Sequence, residues 1–488
     1  MLIDLNNQQI HKAIKYDVCI FGAGPAGITL ARTLAAKGQI VALVEGGGLE
    51  YSEVSQSSYE GKNIGELKNE RISGCRLRFF GGASNHWGGR CAIPSNFNFE
   101  RPDFEGLPGW PIKLDDVLAY LPKALEIVDI PTDAFSHPRA PFDSQLFISD
   151  VKALSRPPTH FGDKYLTEIK SSSKIHAYIN ANLININLRK NGDSLSGTEV
   201  RNYNGDHFVF TAKHYVLALG GIENARILLN SDKQLVNGIG NHSGFVGRCF
   251  MDSLNVEFGR FVVENMQIMR QGIELNPSFK LLKMHGIGNA VLAFDPHVHI
   301  EQYGRLKVLK SAVLDAICKS EFATDILRKF NDLDCQGDGV ITSMIEQSPN
   351  PDSRIILDTE QDRFGLRKVK LDWRLSNEDR KTIRILGFES AKELARMKIA
   401  RVQLKDFILD DRLEIPSSAI DPHCHHMGTT RMSTNQNFGV VDENCKVHNL
   451  SNLYIAGSSV FPCCGGVNPT LTIIMLSLRL SDNIASLD

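Results

Sequence analysis

The sequence predicts an α/β protein, α+β overall, in which one domain is interrupted by the insertion of another. Three observations lead to this fold class. Residues 16–45 alternate between strand and helix patterns, residues 251–420 contain mainly strand-like runs, and residues 421–488 return to a strand followed by a helix. Because a chain of 488 residues is too long for one ordinary core, we expect two domains, with both chain ends in the same one.

The first element is a βαβ unit. YDVCIF (16–21) is a short apolar strand, GAGPAG (22–27) is a turn, and IVALVE (40–45) is a second buried strand. Between the turn and the second strand, residues 28–38 have the pattern of a helix that ends at Gly38. Such a unit is typical of a Rossmann-like domain.

The turn carries the residue types that a dinucleotide site needs. Gly22 permits the tight turn, Gly24 lets the backbone approach a pyrophosphate, and Gly27 lets the helix pack closely on the strand. The helix N-terminus supplies N–H groups and a partial positive charge. Glu45 closes the second strand, where a carboxylate accepts hydrogen bonds from ribose hydroxyls. These residues predict a bound dinucleotide and, by themselves, leave NAD and FAD open.

The segment after this unit predicts a binding loop and a return to the nucleotide sheet. Residues 70–90 are rich in glycine yet contain His86 and Trp87, which is typical of a binding loop and not of a plain linker. Residues 174–188 alternate like a strand, and residues 215–229 form a buried strand, a glycine turn and a helix.

The pattern predicts two discontinuous domains. The inserted region has helical patterns near residues 315–330 and 377–397 besides its strands, and residues 106–155 contain one helical pattern, at 114–128. In the last segment, Pro469 is expected to open the terminal helix, since its missing N–H needs no partner there. The predicted boundaries assign to the nucleotide-binding domain residues 1–105, 156–250 and 421–488, and to the second domain residues 106–155 and 251–420.

Composition excludes several classes of partner. The formal net charge is -2 with no long basic stretch, which gives no electrostatic argument for nucleic acid or for an anionic membrane. The sequence has no leader-like start and no run of about 18 apolar residues, so we expect a cytoplasmic chain without a membrane span. The ten cysteines are scattered without a CxxC pair, and we expect reduced thiols.

The string HCHHMGTTRM (423–432) gathers three histidines and a cysteine. A zinc site would need all of its ligands from four consecutive residues, unlike the separated pairs that usually complete a tetrahedron, so we expect no metal. His423 and His426 are expected to be structural, because adjacent residues of an extended segment point to opposite faces.

Several motifs, in order, resemble the glucose-methanol-choline (GMC) flavoprotein oxidoreductases. They are GAGPAG, GGASNHWGG, LALGGIENAR, HHMGTTRM, GVVDENCKVHNLSNLYIAGSSVFP and VNPTLTI, and together they span nearly the whole chain. The similarity is greatest to the branch that holds pyranose oxidase and the sugar and gluconate dehydrogenases. It implies a Rossmann-like FAD-binding domain and an inserted substrate domain built on an antiparallel sheet.

The resemblance also implies roles for particular residues. The histidine of the family's HxxGT motif corresponds to His425, the catalytic base, and the partner corresponds to Asn468, 43 positions later. A neutral imidazole is the side chain best suited to accept a hydroxyl proton near neutral pH. The residues expected to bind FAD are Gly22, Gly24, Pro25, Ala26, Gly27, Glu45, Gly82, Asn85, His86, Trp87, Gly88, Asn182, Leu183, Gly220, Gly457, Asn468, Pro469 and Thr470.

Covalent attachment of the flavin stays open. His86 corresponds to the histidine that carries the flavin bond in pyranose oxidase, but Asn85 stands where that enzyme has threonine.

The predicted function is FAD-dependent oxidation of an alcohol, a sugar, aminosugar or polyol hydroxyl, to a carbonyl, with a dehydrogenase favoured over an oxidase. Two alternatives are a redox-silent lyase on the same fold, in which the flavin is structural, and a flavoprotein subunit of a multi-subunit dehydrogenase. An NAD-dependent enzyme is a third. The electron acceptor, whether oxygen, a quinone or a redox protein, is left undetermined.

Overall fold

The computed structural model describes most of the chain. The described residues are 1–7, 15–68, 72–101, 103–104, 106–136, 144–149, 152–263, 274–296, 338–410, 412 and 414–487. The helix predicted near residues 315–330 lies outside them.

A parallel sheet contains strands from both ends and from the middle of the chain. Its described strands are, in spatial order, Leu2–Asp4, Ile175–Ile179, Val41–Val44, Tyr16–Phe21, Ala212–Leu217 and Leu453–Ile455. The helix Pro25–Ala36 follows the strand Tyr16–Phe21 and packs against the terminal helix Thr470–Ala485. Parallel strands need crossover connections, and the helices that provide them cover the apolar faces of the sheet.

The carboxyl ends of these strands meet at one edge of the sheet. The Gly22 N–H donates to the carbonyl of Val44 at 2.7 Å, and the Ala218 N–H donates to the carbonyl of Phe21 at 2.7 Å. The turn that follows each strand is therefore held beside its neighbour. In open parallel sheets this edge is where ligands bind.

A second large sheet is antiparallel. Its described strands are, in spatial order, Ala400–Leu404, Leu254–Val263, Asp338–Ile345, Ala290–Pro296, Glu274–Pro277 and Phe147–Ser149, with Ile420–Pro422 paired to Leu254–Val263. The long helix Asn377–Arg396 packs on it and begins with a capping box, in which the Ser376 hydroxyl accepts from the Asp379 N–H and the Asp379 carboxylate accepts from the Ser376 N–H.

Smaller elements complete the described part of the chain. Three-stranded sheets are formed by Asn182–Leu188, Leu195–Arg201 and His207–Phe210, and by Arg354–Gln361, Arg367–Asp372 and Gly61–Asn63. Short strand pairs are Arg90–Cys91 with Ala153–Leu154, and Asp103–Phe104 with Leu107–Pro108. The other α-helices are Glu53–Gln56, Asn96–Glu100, Leu114–Leu118, Leu121–Ile127, Phe161–Ser171, Gly220–Asn230, Phe279–His285 and Asp406–Leu409. The 3₁₀ helices are Ser57–Tyr59, Gly82–Asn85, Ser417–Ala419, Gln436–Phe438 and Ser458–Val460.

Three predicted elements differ in detail. The helical pattern at 114–128 forms two helices, since Pro122 has no N–H with which to continue the first. The strand pattern at 174–188 forms two strands of different sheets, separated at Asn180, whose φ is +56°. The terminal helix begins at Thr470, and Pro469 is its N-cap residue.

Buried apolar side chains form two clusters. One surrounds the parallel sheet and the other surrounds the antiparallel sheet and the helix Asn377–Arg396. The predicted domain boundaries stay a proposal. The helices Leu114–Leu118 and Leu121–Ile127, which were predicted to lie in the second domain, pack against the terminal helix Thr470–Ala485 and belong to the cluster of the parallel sheet. Within the described ranges, no helix is both long and apolar enough to cross a membrane.

Candidate active site

A cavity of about 570 Å³ opens at the carboxyl edge of the parallel sheet. Its walls include the turns that follow the strands and the HCHH segment, residues 423–426, from the other end of the chain. The predicted site residues that line it are Gly22, Gly24, Pro25, Ala26, Glu45, Gly82, His86, Trp87, Gly88, Asn182, Leu183, Gly220, His425, Gly457, Asn468, Pro469 and Thr470.

Two residues predicted to bind the cofactor do not line this cavity. Gly27 lies beneath the turn, where an added Cβ would overlap the carbonyl oxygen of Gly22. It therefore permits close packing of helix and strand without facing a ligand. Asn85 turns away from the cavity, and its Nδ2 donates to the carbonyl of Phe80 at 3.0 Å.

The turn after the first strand of the βαβ unit presents open space to the cavity. Gly22 has φ +103°, a conformation that favours glycine, and a side chain there would overlap the carbonyl of Ala218. Gly24 is the N-cap of the helix Pro25–Ala36, and a Cβ added to it would meet nothing within 4 Å among the described residues beyond its chain neighbours. Helix N–H groups and empty space next to the backbone are what a pyrophosphate requires.

Glu45 lies at the cavity and also supports the turn. Its Oε2 accepts from the N–H of Ala23 at 2.8 Å, and its Oε1 accepts from the N–H of Gly47 at 2.9 Å. Each carboxylate oxygen has a second lone pair, so these bonds still permit the predicted contact with ribose hydroxyls.

Sequence reasoning missed a group of arginines on the cavity wall. The carboxylate of Glu223 pairs with Arg76 at 2.7 Å and with Arg226 at 3.1 Å, and Arg78 donates to Oδ1 of Asn182 at 2.8 Å. Burial raises the pKa of Glu223, but Arg226 and Arg76 outweigh it and lower the pKa overall. This cationic wall suits the anionic part of a dinucleotide. The RLR string inside the predicted binding loop was the signal that could have revealed it.

His425 and Asn468 meet inside the cavity. Nδ2 of Asn468 lies 3.3 Å from Nε2 of His425, although 43 positions separate them in sequence. Oδ1 of Asn468 is buried and has no hydrogen-bond partner among the described residues. Upstream of Asn468, the buried carboxylate of Glu346 accepts from the Gly465 N–H at 3.1 Å and holds this loop. The imidazole of His425 thus lies beside an amide whose oxygen has no donor in the described part of the chain.

His423 lies next to His425. The two rings stack with centroids 5.7 Å apart, and both line the cavity. The expectation of opposite faces applies to adjacent residues, whereas positions i and i+2 of an extended segment share a face. Nε2 of His423 has no hydrogen-bond partner within the described ranges. His426 also lines the cavity, with its ring near Phe250.

A disulfide joins Cys75 to Cys424 across 349 positions of sequence. The expectation of reduced thiols is therefore wrong for this pair, because the fold brings the binding loop against the HCHH segment. Both cysteines line the cavity. Cys463 and Cys464, which precede Asn468, are free and buried. Among the described residues, no group of three or more His, Cys, Asp or Glu side chains could hold a metal ion.

These features fit a bound dinucleotide. A Cβ would fill the open space beside Gly24, the helix N-terminus faces that space, and Glu45 lies at the end of the second strand, where the ribose is expected. At the other end, the amide oxygen of Asn468 is a buried acceptor that receives no hydrogen bond from the described residues. The fold and cavity define a Rossmann-type dinucleotide-binding protein with an imidazole–amide pair at one end of its site.

Comparison with known proteins gives a family match over part of the chain. Residues 349–477 match the family model described as GMC oxidoreductase. Paromamine 6'-oxidase of Streptomyces fradiae is 26% identical over 283 residues, which are 56% of this chain and 46% of that protein. The fructose dehydrogenase large subunit of Gluconobacter japonicus is 23% identical over 56% of this chain and 47% of its own length. The chain thus spans about half the length of these curated relatives.

Solved structures support the same assignment at the level of fold. The crystal structure of pyridoxine 4-oxidase from Mesorbium loti aligns with a TM-score of 0.61 and 15% identity, over 96% of this chain and 99% of that one. Residues 349–477 therefore resemble the GMC oxidoreductases in sequence, and the chain shares the fold of the solved oxidase. The family resemblance, the α/β fold class and FAD as the cofactor are therefore confirmed.

Proposed function

We propose that this protein is an FAD-dependent oxidoreductase that oxidises an alcohol, a hydroxyl of a sugar, aminosugar or polyol, to a carbonyl. The observation that carries the proposal is the 3.3 Å approach of Nε2 of His425 to Nδ2 of Asn468 at the end of the cavity. Alcohol oxidation needs a base for the hydroxyl proton and a group that positions the oxygen, and this pair supplies both.

In this reaction Nε2 of His425 accepts the hydroxyl proton of the substrate. Asn468 hydrogen-bonds to the substrate oxygen and fixes its orientation next to the imidazole. The N-terminus of the helix Thr470–Ala485 lines the cavity through Pro469 and Thr470. Its partial positive charge would stabilise the negative charge that the bound cofactor gains on reduction. The residues of the turn at Gly24, Glu45 and the binding loop would hold FAD, which would supply the hydride acceptor for the carbinol carbon.

The substrate class is supported by further polar side chains that line the cavity. His86, Arg90 and His423 line the same cavity as the imidazole–amide pair, and they offer several hydrogen-bonding groups to a molecule with many hydroxyls. The names of the two relatives agree with this class, since one names paromamine and the other names fructose.

The test is a screen for flavin reduction under anaerobic conditions. Sugars, aminosugars and polyols are added in turn to the purified yellow protein, and we expect at least one class to bleach the visible absorbance of the oxidised flavin. Dithionite serves as the control for a reducible flavin. Bleaching by dithionite but by no alcohol would reject the proposal and favour the redox-silent lyase.

The same preparation distinguishes a flavoenzyme from an NAD-dependent enzyme and from a subunit of a larger dehydrogenase. A colourless protein that none of these alcohols reduces, but that oxidises an alcohol when NAD is added, would contradict a flavoenzyme. Copurification of a smaller chain or a cytochrome, with activity only in its presence, would favour the subunit of a larger dehydrogenase.

Turnover with a quinone-like dye in preference to oxygen is expected for the predicted dehydrogenase. The cytoplasmic location stays a prediction, which cell fractionation tests.

The proposed base should remain unprotonated well below neutral pH. Burial, followed by the neighbouring His423, His426 and Lys152, lowers the pKa of His425 to about 3. Because the neutral ring is the active form, the rate is lost only as the pH falls through this value. We therefore expect the rate of flavin reduction at saturating substrate to stay constant from about pH 8 to about pH 5, across the ordinary histidine pKa of about 6.5. A decrease centred near that ordinary value would contradict the expectation, and FAD content measured at each pH controls for loss of cofactor.

A further inference from the structure

Two buried residues lie directly behind His425. Asp252 and Ser253 precede the strand Leu254–Val263, and neither is exposed to solvent. An antiparallel bridge between Met251 and Met427 places their segment alongside the HCHH segment. Neither residue belongs to a motif that sequence reasoning singled out.

Asp252 holds the backbone at the proposed base. Its Oδ1 accepts from the N–H of His425 at 2.8 Å, and its Oδ2 accepts from the N–H of Cys424 at 3.0 Å. Cys424 has φ +63°, a conformation that is unfavourable for a non-glycine residue and persists only with support from its surroundings. Hydrogen bonds to a carboxylate are stronger than those to a neutral acceptor. Asp252 therefore fixes the turn from which the His425 side chain projects.

Ser253 contacts the ring nitrogen that faces away from Asn468. Its Oγ lies 3.1 Å from Nδ1 of His425 and 3.6 Å from Sγ of Cys464. An amide nitrogen only donates, so the contact with Nδ2 of Asn468 makes Nε2 of His425 the acceptor. A neutral ring then has its hydrogen on Nδ1, which donates to Ser253 Oγ, and the serine hydroxyl is free to donate toward the Cys464 sulfur.

We propose that Asp252 and Ser253 are positioning residues for the proposed reaction. Asp252 fixes the backbone at residues 424–425, and Ser253 holds His425 in the Nδ1–H tautomer. Nε2 then carries no hydrogen, and it accepts the hydroxyl proton once the substrate hydroxyl takes the place of the Asn468 N–H at this nitrogen. The inference rests on the proposed function for its catalytic meaning. The tautomer itself is a property of the folded protein and can be measured without any substrate.

The kinetic test uses Ser253→Ala, with Ser343→Ala as the matched control. Ser343 is also buried, and its hydroxyl donates to the carbonyl of Val256, so the control removes a serine hydroxyl from the strand paired with Leu254–Val263 and no hydrogen bond of His425. We expect Ser253→Ala to lower the rate of flavin reduction by about tenfold or more with little change in KM, because outer hydrogen bonds that orient an imidazole contribute on this order. Ser253→Thr, which keeps the hydroxyl, should recover part of the loss.

Asp252→Asn tests the backbone contact separately. The amide has one acceptor oxygen in place of two, so one of the two N–H groups loses its partner. We expect a fall in the reduction rate of about tenfold or more. FAD content and the midpoint of thermal unfolding distinguish a mispositioned base from an unfolded protein. A folded, FAD-loaded Asp252→Asn protein with the wild-type rate would overturn the role of Asp252.

The closing experiment reads the tautomer in the FAD-loaded protein. Proton–nitrogen correlation spectra of protein labelled at the histidine rings report which nitrogen carries the hydrogen, and the His425 signals are identified by their absence from His425→Asn. We expect hydrogen on Nδ1 in the wild type and in Ser343→Ala, and a mixture of tautomers in Ser253→Ala. Hydrogen on Nε2 in the wild type, or an unchanged spectrum in Ser253→Ala, would overturn the role of Ser253. A confirmed tautomer in a protein that no alcohol reduces would instead reject the proposed function alone.

Discussion

Replacing His425 with asparagine is expected to lower the rate of flavin reduction by substrate by about 10²- to 10⁴-fold, the usual contribution of a general base, while FAD stays bound. The substitution removes the only ring nitrogen that approaches Nδ2 of Asn468 in the described structure. It leaves intact the turn at Gly24 and the carboxylate of Glu45 at the other end of the cavity. The measurement is anaerobic stopped-flow reduction with the best substrate from the screen.

The control for this substitution is an exposed histidine outside the cavity. His207 lies at the start of the strand His207–Phe210 and accepts from the side chain of Arg201. His207→Asn should reduce its flavin at the wild-type rate. Retention of more than about a tenth of the wild-type rate in His425→Asn would remove His425 from the role of base, since a general base contributes far more.

The sequence predicted the ends of the site better than its walls. The strand–turn–helix periodicity and the glycine spacing are local properties, and the turn that they predict contains Gly22 and Gly24, which line the cavity. The pairing of His425 with Asn468 came from the family resemblance. Nothing in the spacing of the two residues along the chain requires the 3.3 Å contact between them.

The residues that sequence reasoning missed are those whose function depends on distant partners. Arg76 forms an ion pair with Glu223, and Cys75 forms a disulfide with Cys424. Asp252 accepts hydrogen bonds from backbone N–H groups of the HCHH segment. Each contact joins segments at least 147 positions apart, so neither periodicity nor local composition could reveal it. The free energy that selects these contacts comes from the packing of the whole fold.

Replacing Gly24 with valine is expected to leave the fold intact and to lower the affinity for FAD by at least about 100-fold, or about 2.7 kcal/mol. The backbone of Gly24, with φ -85° and ψ -171°, is accessible to any residue, and an added Cβ would meet nothing within 4 Å in the described part of the chain apart from the adjacent residues. A valine side chain would therefore fit the protein and would occupy the part of the cavity where a pyrophosphate needs close approach to the backbone.

Gly27→Ala provides the opposite case within the same motif. A Cβ there would overlap the carbonyl oxygen of Gly22, so this variant should lose stability before it loses affinity. The comparison measures FAD content and the dissociation constant by fluorescence, together with thermal unfolding of the protein freed of FAD.

Acid precipitation of the wild type comes first, because flavin retained in the pellet would mean a covalent bond, with His86 as the expected site. In that case the quantity compared between the variants would be the fraction of chains that carry flavin, in place of the dissociation constant. Normal FAD binding by Gly24→Val would show that the pyrophosphate does not lie against this turn, and the cofactor would have to approach the sheet by another route.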